Sequence, residues 1–227
     1  MQSGAGEAEM KIASITDIHG SIDAIFKLRD VLKKADLILV TGDITHFGHR
    51  AIAQQLMETI SAINPSLLAV TGNCDHLEID TYLNEEHISL HAKGRLIDGL
   101  GFIGVGASLP TPFNTPNEMP ERDFQTFLSQ GRAAIPGEIP FILVSHQPPF
   151  ETTTDRLSSG LHVGSRAVRT FIENEAPLIC LTGHIHESRG KDQIGSTIIL
   201  NPGPASAGNF AWVEIVDGRV VQADIRK

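Results

Sequence analysis

The feature that most constrains the fold of this chain is a set of short apolar runs that each stop abruptly at a polar cluster. Each run is four to six residues long and rich in β-branched residues, which is typical of strands buried on both faces of a parallel sheet. The runs occupy residues 11–16, 36–40, 67–70, 141–144 and 178–181. Apolar residues at helical spacing follow the first two runs, over residues 21–34 and 51–63. This alternation predicts an α/β fold around a central, largely parallel sheet.

The rest of the chain carries shorter strand signals. Residues 95–97 and 101–105 predict a hairpin that turns at Asp98-Gly99. Near the end of the chain, antiparallel strands are predicted over residues 197–200, 211–216 and 220–225.

Residues 108–136 have a different texture. They hold five of the twelve prolines and a predicted helix at 122–133, and we interpret them as an excursion from the core that could act as a lid. No repeat or linker divides the chain, so we expect a single domain over residues 11–227. Residues 1–10 have the composition of a disordered leader or an expression remnant.

Composition excludes several classes of protein. With 227 residues, 41% of them hydrophobic, the chain can bury a substantial core without disulfides. Its apolar runs are far shorter than the ~20 residues of a membrane span. A net charge of −9 argues against a sequence-independent grip on a nucleic-acid polymer, which needs clustered lysine and arginine. Two cysteines and the absence of a signal-peptide pattern favour a cytoplasmic protein. The oligomeric state stays open, a homo-oligomer included.

Chemistry-bearing side chains directly follow the predicted strands. They are Asp17, His19, Asp43, Asn73, His146, His184 and His186. In open α/β sheets ligands bind outside the carboxyl ends of the strands, so we expect these side chains to meet at one edge if the strands share a sheet. Oxygen and imidazole donors in this ratio suit first-row transition metals. Seven donors exceed one four-coordinate site, whereas two divalent metals that share a bridging carboxylate would use them all.

Three glycines stand directly before candidate ligands. Gly42, Gly72 and Gly183 lie where the chain must leave a strand sharply, and we expect positive φ angles at these positions.

The order of the polar clusters resembles the calcineurin-like metallophosphoesterase superfamily. The pattern of that family, D-x-H, G-D, G-N-H-[DE], H and G-H-x-H, is matched in order between Asp17 and His186. The resemblance implies a four-layer α/β/β/α metallophosphoesterase sandwich with a dinuclear metal centre. It assigns one metal to Asp17, His19, Asp43 and His186, and the other to Asp43, Asn73, His146 and His184. Asp43 would bridge the two ions.

The third block departs from the family pattern. The family histidine that protonates the leaving group is replaced by Cys74, within the sequence Gly72-Asn73-Cys74-Asp75. A thiol is a poor proton donor to an alkoxide, and a positioned general acid contributes roughly 10²–10⁴ in rate. Relatives with cysteine at this position imply activity on phosphodiesters. Asp75, which in the family orients the histidine, has an open role here.

Several nearby residues have competing interpretations. His162 lies in a loop between two ligand-bearing strands and is a candidate proton donor. His46 follows Asp43 by three residues and is either a pocket residue or an ordinary surface residue. Cys74 could act as a nucleophile, but no Cys-x₅-Arg phosphate loop follows it. The candidate catalytic set is therefore Asp43, Asn73, Cys74, Asp75 and His162.

Together these features predict a metal-dependent phosphoesterase acting on a small phosphoester, with diesters favoured over monoesters. Water that bridges two divalent metals loses its proton near neutral pH and attacks phosphorus in line with the leaving group. Two divalent ions and two carboxylates leave a local charge of about +2, so an acidic chain can bind an anion. Manganese, iron, zinc, nickel and cobalt all accept such ligands. The alternatives are a phosphomonoesterase, a nuclease, for which the chain has little basic material, and a non-catalytic metal-bound scaffold in a protein complex.

Overall fold

The computed structural model describes residues 9–227, which form two stacked sheets covered by helices. The strands are β1 (Glu9–Ile15), β2 (Leu37–Thr41), β3 (Leu67–Val70), β4 (Lys93–Ile97), β5 (Leu100–Val105), β6 (Phe141–Ser145), β7 (Ile179–Thr182), β8 (Gly190–Ile194), β9 (Thr197–Asn201), β10 (Phe210–Val216) and β11 (Arg219–Arg226). The helices are α1 (Ile22–Lys27), α2 (Arg29–Leu32), α3 (Arg50–Ile63), α4 (Leu77–Glu85), α5 (Glu121–Ala133) and α6 (Arg166–Glu175). No helix in this part of the chain has the length and apolar character needed to cross a membrane.

The strand order is β11-β10-β1-β2-β3 in the first sheet and β4-β5-β6-β7-β9-β8 in the second. The central strands run parallel in both sheets, while β10, β4 and β8 each pair antiparallel with a neighbour. Strands β2, β3, β6 and β7 are buried over their whole length. Burial on both faces explains why their sequences are continuous apolar runs rather than alternating ones.

Three apolar layers hold the sheets and helices together. Leu39 and Val144 belong to the layer between the two sheets. Leu56 of α3 packs in a second layer on the outer face of the first sheet. Phe124 of α5 and Ile172 of α6 pack in a third layer on the outer face of the second sheet. The architecture is the four-layer α/β/β/α sandwich implied by the family resemblance, which is confirmed.

The strand ends that carry the polar clusters belong to both sheets. Strands β1, β2 and β3 lie in the first sheet, and β6 and β7 lie in the second. The five strands therefore do not share one sheet, in agreement with the two-sheet sandwich that the resemblance implies. The clusters still meet, because the stacked sheets bring the carboxyl ends of these strands to the same edge. There Nδ1–H of His146 donates a hydrogen bond to the carbonyl oxygen of Thr41 over 2.8 Å, which joins the second sheet to the first.

One predicted boundary changes, and one predicted strand has neighbours other than the last two strands. Strand β1 begins at Glu9 and Met10 is buried, so a leader over residues 1–10 is too long, and residues 1–8 lie outside the described residues. Residues 197–200 do not pair with the last two strands, because β9 lies between β7 and β8 in the second sheet.

The segment 108–136 is an excursion only in its first half. Met119, Phe124, Leu128 and Ile135 all belong to the buried layer on the second sheet. The lid interpretation is therefore wrong for residues 119–136, which cover that sheet. Residues 109–118 form a loop at the edge where the polar clusters meet.

Candidate metal centre

The first group of candidate ligands comes from the ends of β1 and β7. Nε2 of His186 lies 3.1 Å from Oδ1 of Asp17 and 3.1 Å from Nε2 of His19. The backbone N–H of His184 donates to the other oxygen of Asp17 over 3.3 Å. These contacts join strand ends of both sheets around the Asp17 carboxylate.

The second group is centred on His146 at the end of β6. Its Nε2 lies 3.2 Å from Oδ1 of Asn73 and 3.4 Å from Oδ1 of Asp43. The ring of His184 lies 5.2 Å from that of His146, measured between centroids. The other oxygen of Asp43 is 3.7 Å from Nε2 of His19, which belongs to the first group. Asp43 therefore lies between the two groups, and all seven predicted ligands come together.

Burial governs the charge of these side chains. It lowers the pKa of His184 to about 3 and that of His19 to about 4, so both imidazoles are neutral at pH 7 and keep a free lone pair. Burial also raises the pKa of Asp43. In Asp17 burial acts in the same direction, but the surrounding imidazoles, led by His186, outweigh it and hold the pKa below its usual value.

This arrangement fits divalent metal ions. Ligands about 2.0–2.2 Å from one ion are separated from each other by roughly 3.0–3.5 Å, close to the spacing within both groups. Oδ1 of Asp17, which faces this group of ligands, is buried and counts as unpartnered among the described residues. Two buried carboxylates also need positive charge, because an uncompensated buried anion is costly. The mixture of oxygen and imidazole donors suits first-row transition metals.

The backbone is strained where it presents the ligands. Asp17, His19, Asp43 and His184 have φ angles of 54°, 48°, 50° and 68°. Non-glycine residues rarely adopt this left-handed region, and such residues cluster at functional sites. The strain is a mark of the site that the sequence did not reveal.

The three glycines serve two different purposes. Gly42 has a φ of +91°, as expected, but Gly72 and Gly183 do not adopt the left-handed conformation. A Cβ at Gly72 would lie 2.7 Å from Cγ of Asp43, and one at Gly183 would lie 2.8 Å from Oδ2 of Asp17. The expected positive φ is thus wrong at these two positions. Glycine is required there because Asp43 occupies the space of a Cβ at Gly72, and Thr16 together with Asp17 occupies it at Gly183.

Asp75 ties together the loops after β2 and β3. Its Oδ2 accepts hydrogen bonds from the backbone N–H groups of Gly72 and Ile44, at 2.9 and 3.0 Å. Its Oδ1 accepts from the N–H and the hydroxyl of Thr45, at 2.8 and 2.9 Å. None of these bonds goes to residue 74. Asp75 therefore acts as a positioning residue for the turn that carries Asp43, and the expected direct catalytic role is not supported.

A polar loop orients the amide of Asn73, a link that the sequence analysis missed. Nδ2 of Asn73 donates to the hydroxyl of Thr115 over 3.1 Å, which leaves Oδ1 facing His146. Glu118 fixes this loop, because its carboxylate accepts hydrogen bonds from the hydroxyls of Thr111 and Thr115, each over 2.6 Å. Such outer partners commonly fix the orientation of metal ligands.

Cys74 is buried beside the centre. Burial, together with the nearby Asp43, raises the pKa of its thiol well above the ordinary value, which argues against a thiolate nucleophile. A ring nitrogen of His46 lies within 4.8 Å of its sulfur and of a ring nitrogen of His19. His46 is therefore an exposed residue beside the candidate centre, although it does not line the cavity described below.

His162 points away from the candidate ligands. Its Nδ1 lies 2.6 Å from Oδ1 of the buried Asp155, and its ring lies 6.1 Å from that of Phe150. It is not among the residues that line the cavity at the centre. A position in a loop between two ligand-bearing strands did not determine the direction of the side chain, and the expected role as proton donor is not supported.

A cavity of about 600 Å³ opens on the candidate centre. Asn73, His184 and His186 line one wall, and the loops at 109–113 and 157–159 line the other. A separate groove of about 690 Å³ between α5 and α6 contains none of the candidate ligands. The first cavity is the one from which a reactant can reach the centre.

Comparisons with known proteins connect this fold and site to one family. The family model described as calcineurin-like phosphoesterase matches residues 10–188. The uncharacterized protein MJ1162 of Methanocaldococcus jannaschii is 40% identical over 204 residues, which cover 87% of this chain and 89% of that protein. A probable cyclic nucleotide phosphodiesterase of Synechococcus is 24% identical, over 94% of this chain and 88% of its own length. The crystal structure of TT1561 of Thermus thermophilus matches with a TM-score of 0.71 at 17% identity, covering 97% of this chain and 99% of that chain, a likeness of fold alone.

Proposed function

Because the chain belongs to the calcineurin-like phosphoesterase family, we propose that it is a phosphodiesterase that requires two divalent metal ions. The observation that carries the proposal is the meeting of two buried carboxylates, four imidazoles and one amide oxygen at the ends of five strands of both sheets. One ion would be held by Asp17, His19 and His186, the other by Asn73, His146 and His184, with Asp43 shared.

Two ions at this site would supply Lewis acidity and activate a coordinated water molecule. Their charge, set against the carboxylates of Asp17 and Asp43, leaves about +2 at the centre, which favours an anionic substrate despite the net charge of −9. The protein itself contributes the neutral imidazoles of His19 and His184, the carboxylate of Asp43 and a backbone held in place by Asp75.

The preference for diesters rests on charge, and Cys74 adds a preference for stable leaving groups. Loss of a proton from the activated water would reduce the charge at the centre to about +1, which matches the single negative charge of a phosphodiester. The thiol of Cys74 is a poor proton donor, so substrates whose leaving group departs as a stable anion suit this site best. The relative from Synechococcus, named as a probable cyclic nucleotide phosphodiesterase, supports the same preference.

The test is a substrate and metal panel on protein stripped with a chelator. Manganese, iron, zinc, nickel and cobalt would be added separately, and hydrolysis of bis(4-nitrophenyl) phosphate compared with that of 4-nitrophenyl phosphate. We expect about two bound ions per chain and faster cleavage of the diester. His146→Asn should lose metal and activity, whereas His87→Asn, which removes an exposed imidazole elsewhere, should lose neither. Two bound ions without any phosphoester hydrolysis would favour the scaffold alternative instead.

A further inference from the structure

The cavity beside the candidate metal centre is largely apolar on the side away from the ligands, where Thr111, Ser158 and Ser159 add hydroxyl groups. Its walls there include Leu109, Pro110, Pro112, Phe113, Leu157 and Val163. A volume of about 600 Å³ is in the usual range for a site that holds a small organic molecule. An apolar wall opposite a polar centre suits a substrate with a charged end and an uncharged end.

The charge of the cavity lining also favours an uncharged group on that end of the substrate. Among the described residues that line the cavity there is no lysine or arginine, and Glu187 is the only carboxylate. Glu187 accepts a hydrogen bond from the backbone N–H of Ser158. A second anionic group on the substrate would find no cationic partner in this wall and would lie near a carboxylate, which raises its free energy.

Phe113 gives the wall a flat, exposed face. Phe113 is 82% exposed, and it lies in a loop that is held by hydrogen bonds to Glu118. Glu118 accepts from the N–H of Thr115 over 2.8 Å as well as from the hydroxyls of that residue and Thr111. An aromatic ring on a fixed loop beside a cavity can pack against another flat ring with little loss of conformational entropy.

From these observations we propose that the cavity binds one uncharged, flat aromatic substituent of the phosphoester, with Phe113 as a specificity-determining contact. The inference rests on the proposed function, since it takes the phosphorus to lie at the metal centre. It names the substrate class as diesters that carry one neutral aromatic group, of the size of an aryl ring or a nucleobase. Esters that carry a second charged group on that substituent are selected against.

The test measures binding rather than turnover. Calorimetry on manganese-loaded protein would compare methylphosphonate, phenylphosphonate and 4-phosphonobenzoate, three non-hydrolysable probes that differ in one substituent. We expect phenylphosphonate to bind about 10-fold more tightly than methylphosphonate because of the ring contact. The added carboxylate of 4-phosphonobenzoate should remove most of that gain. Inorganic phosphate serves as the probe of the metal centre alone.

Two variants distinguish the contribution of the apolar wall to binding from that of the metal centre. Phe113→Ala should bring the ratio of the phenyl and methyl dissociation constants towards one and leave phosphate binding unchanged. Phe26→Ala, which removes a ring 56% exposed on α1, is the matched control and should keep the wild-type ratio. If phosphate and methylphosphonate bind but phenylphosphonate binds no more tightly, the inference is wrong while the proposed function stands. If no probe binds and no diester is cleaved, the proposed function itself fails.

Discussion

Replacing Gly72 with alanine would put a methyl group into space that Asp43 occupies. The new Cβ would lie 2.7 Å from Cγ of Asp43, and nearer still to Oδ1 and the backbone nitrogen of that residue. Carbon atoms in contact prefer about 3.5–4.0 Å, so the two strand ends must separate by roughly 0.8 Å or more. The backbone of Asp43 already has a strained φ of 50°, and its Oδ1 accepts the N–H of Cys74 over 2.8 Å. Asp43 therefore cannot rotate away without losing a hydrogen bond.

The expected effect of Gly72→Ala is larger on the site than on the fold. Overpacking of a buried position costs about 1–3 kcal/mol, which for a chain of this length lowers Tm by roughly 3–10 °C. Displacement of a shared ligand by nearly an ångström should weaken metal binding about 10- to 100-fold and reduce turnover by about 100-fold at fixed metal concentration.

The assay pairs thermal unfolding of the stripped protein with calorimetric titration of manganese and turnover of a diester. Gly190→Ala is the matched control, because its added Cβ would come no nearer than 3.5 Å to the hydroxyl oxygen of Thr153 and its φ is not left-handed. The control should retain wild-type metal affinity. If Gly72→Ala matches the control in metal affinity and turnover, the close approach of Gly72 to Asp43 does not shape the site and the argument is refuted.

The contacts around the centre support further predictions. Thr115→Val removes the hydroxyl that accepts from the Asn73 amide, and it should weaken binding of the ion assigned to Asn73 about 10-fold. Thr115→Ser should restore that affinity. Equal metal affinity in the wild type and both variants would show that Thr115 does not orient Asn73. Asp43→Ala should lose more metal and activity than Asn73→Ala, because it removes a shared charged ligand; the reverse order, measured by metal analysis and turnover, would contradict the bridging assignment. Cys74→His should raise the rate on alkyl esters more than on aryl esters, whereas Cys74→Ser should leave that ratio unchanged, since the thiol donates no proton; an unchanged ratio in both would show that protonation does not limit the reaction. Removal of metal with a chelator should lower Tm, because the carboxylates of Asp17 and Asp43 lose their counter-ions; an unchanged Tm would indicate that no ion is bound there.

The strands were predictable because their environment leaves few alternatives. A parallel strand covered on both faces must be apolar throughout, and β3 was predicted at residues 67–70 and found at Leu67–Val70. Strand β8 was not predicted, because it lies at a sheet edge and Ile194 is its sole buried residue. Helix α6 was also missed, although Val168 and Ile172 have helical spacing and Ser165 caps the helix by accepting from the N–H of Val168. Its many charged residues hid that signal.

The candidate ligands were predictable from their position after strands, but their support was not. Motif order predicted that all seven meet, yet it did not tell which of the two sheets supplies each ligand. The role of Asp75 depends on hydrogen bonds to Ile44 and Thr45, about 30 positions earlier in the chain, and no local pattern encodes such bonds. The contact of Thr115 with Asn73 spans 42 positions. His162 shows the opposite error, since nearness along the chain suggested a contact that folding does not make.

The division of the ligands between two sheets determines when the protein can bind metal during its synthesis and folding. Strand β10 pairs with β1, so the first sheet cannot be completed until residues 210–216 have left the ribosome. Neither half of the chain carries enough donors for both ions by itself, so we expect metal to be acquired after synthesis, by a chain that has already docked its sheets. Ions bound by the proposed ligands would then link the two sheets. Metal should slow amide hydrogen exchange at the ends of β1 and β7 together. In a cell that is short of metal, we expect a folded protein without metal, in which these strand ends exchange faster.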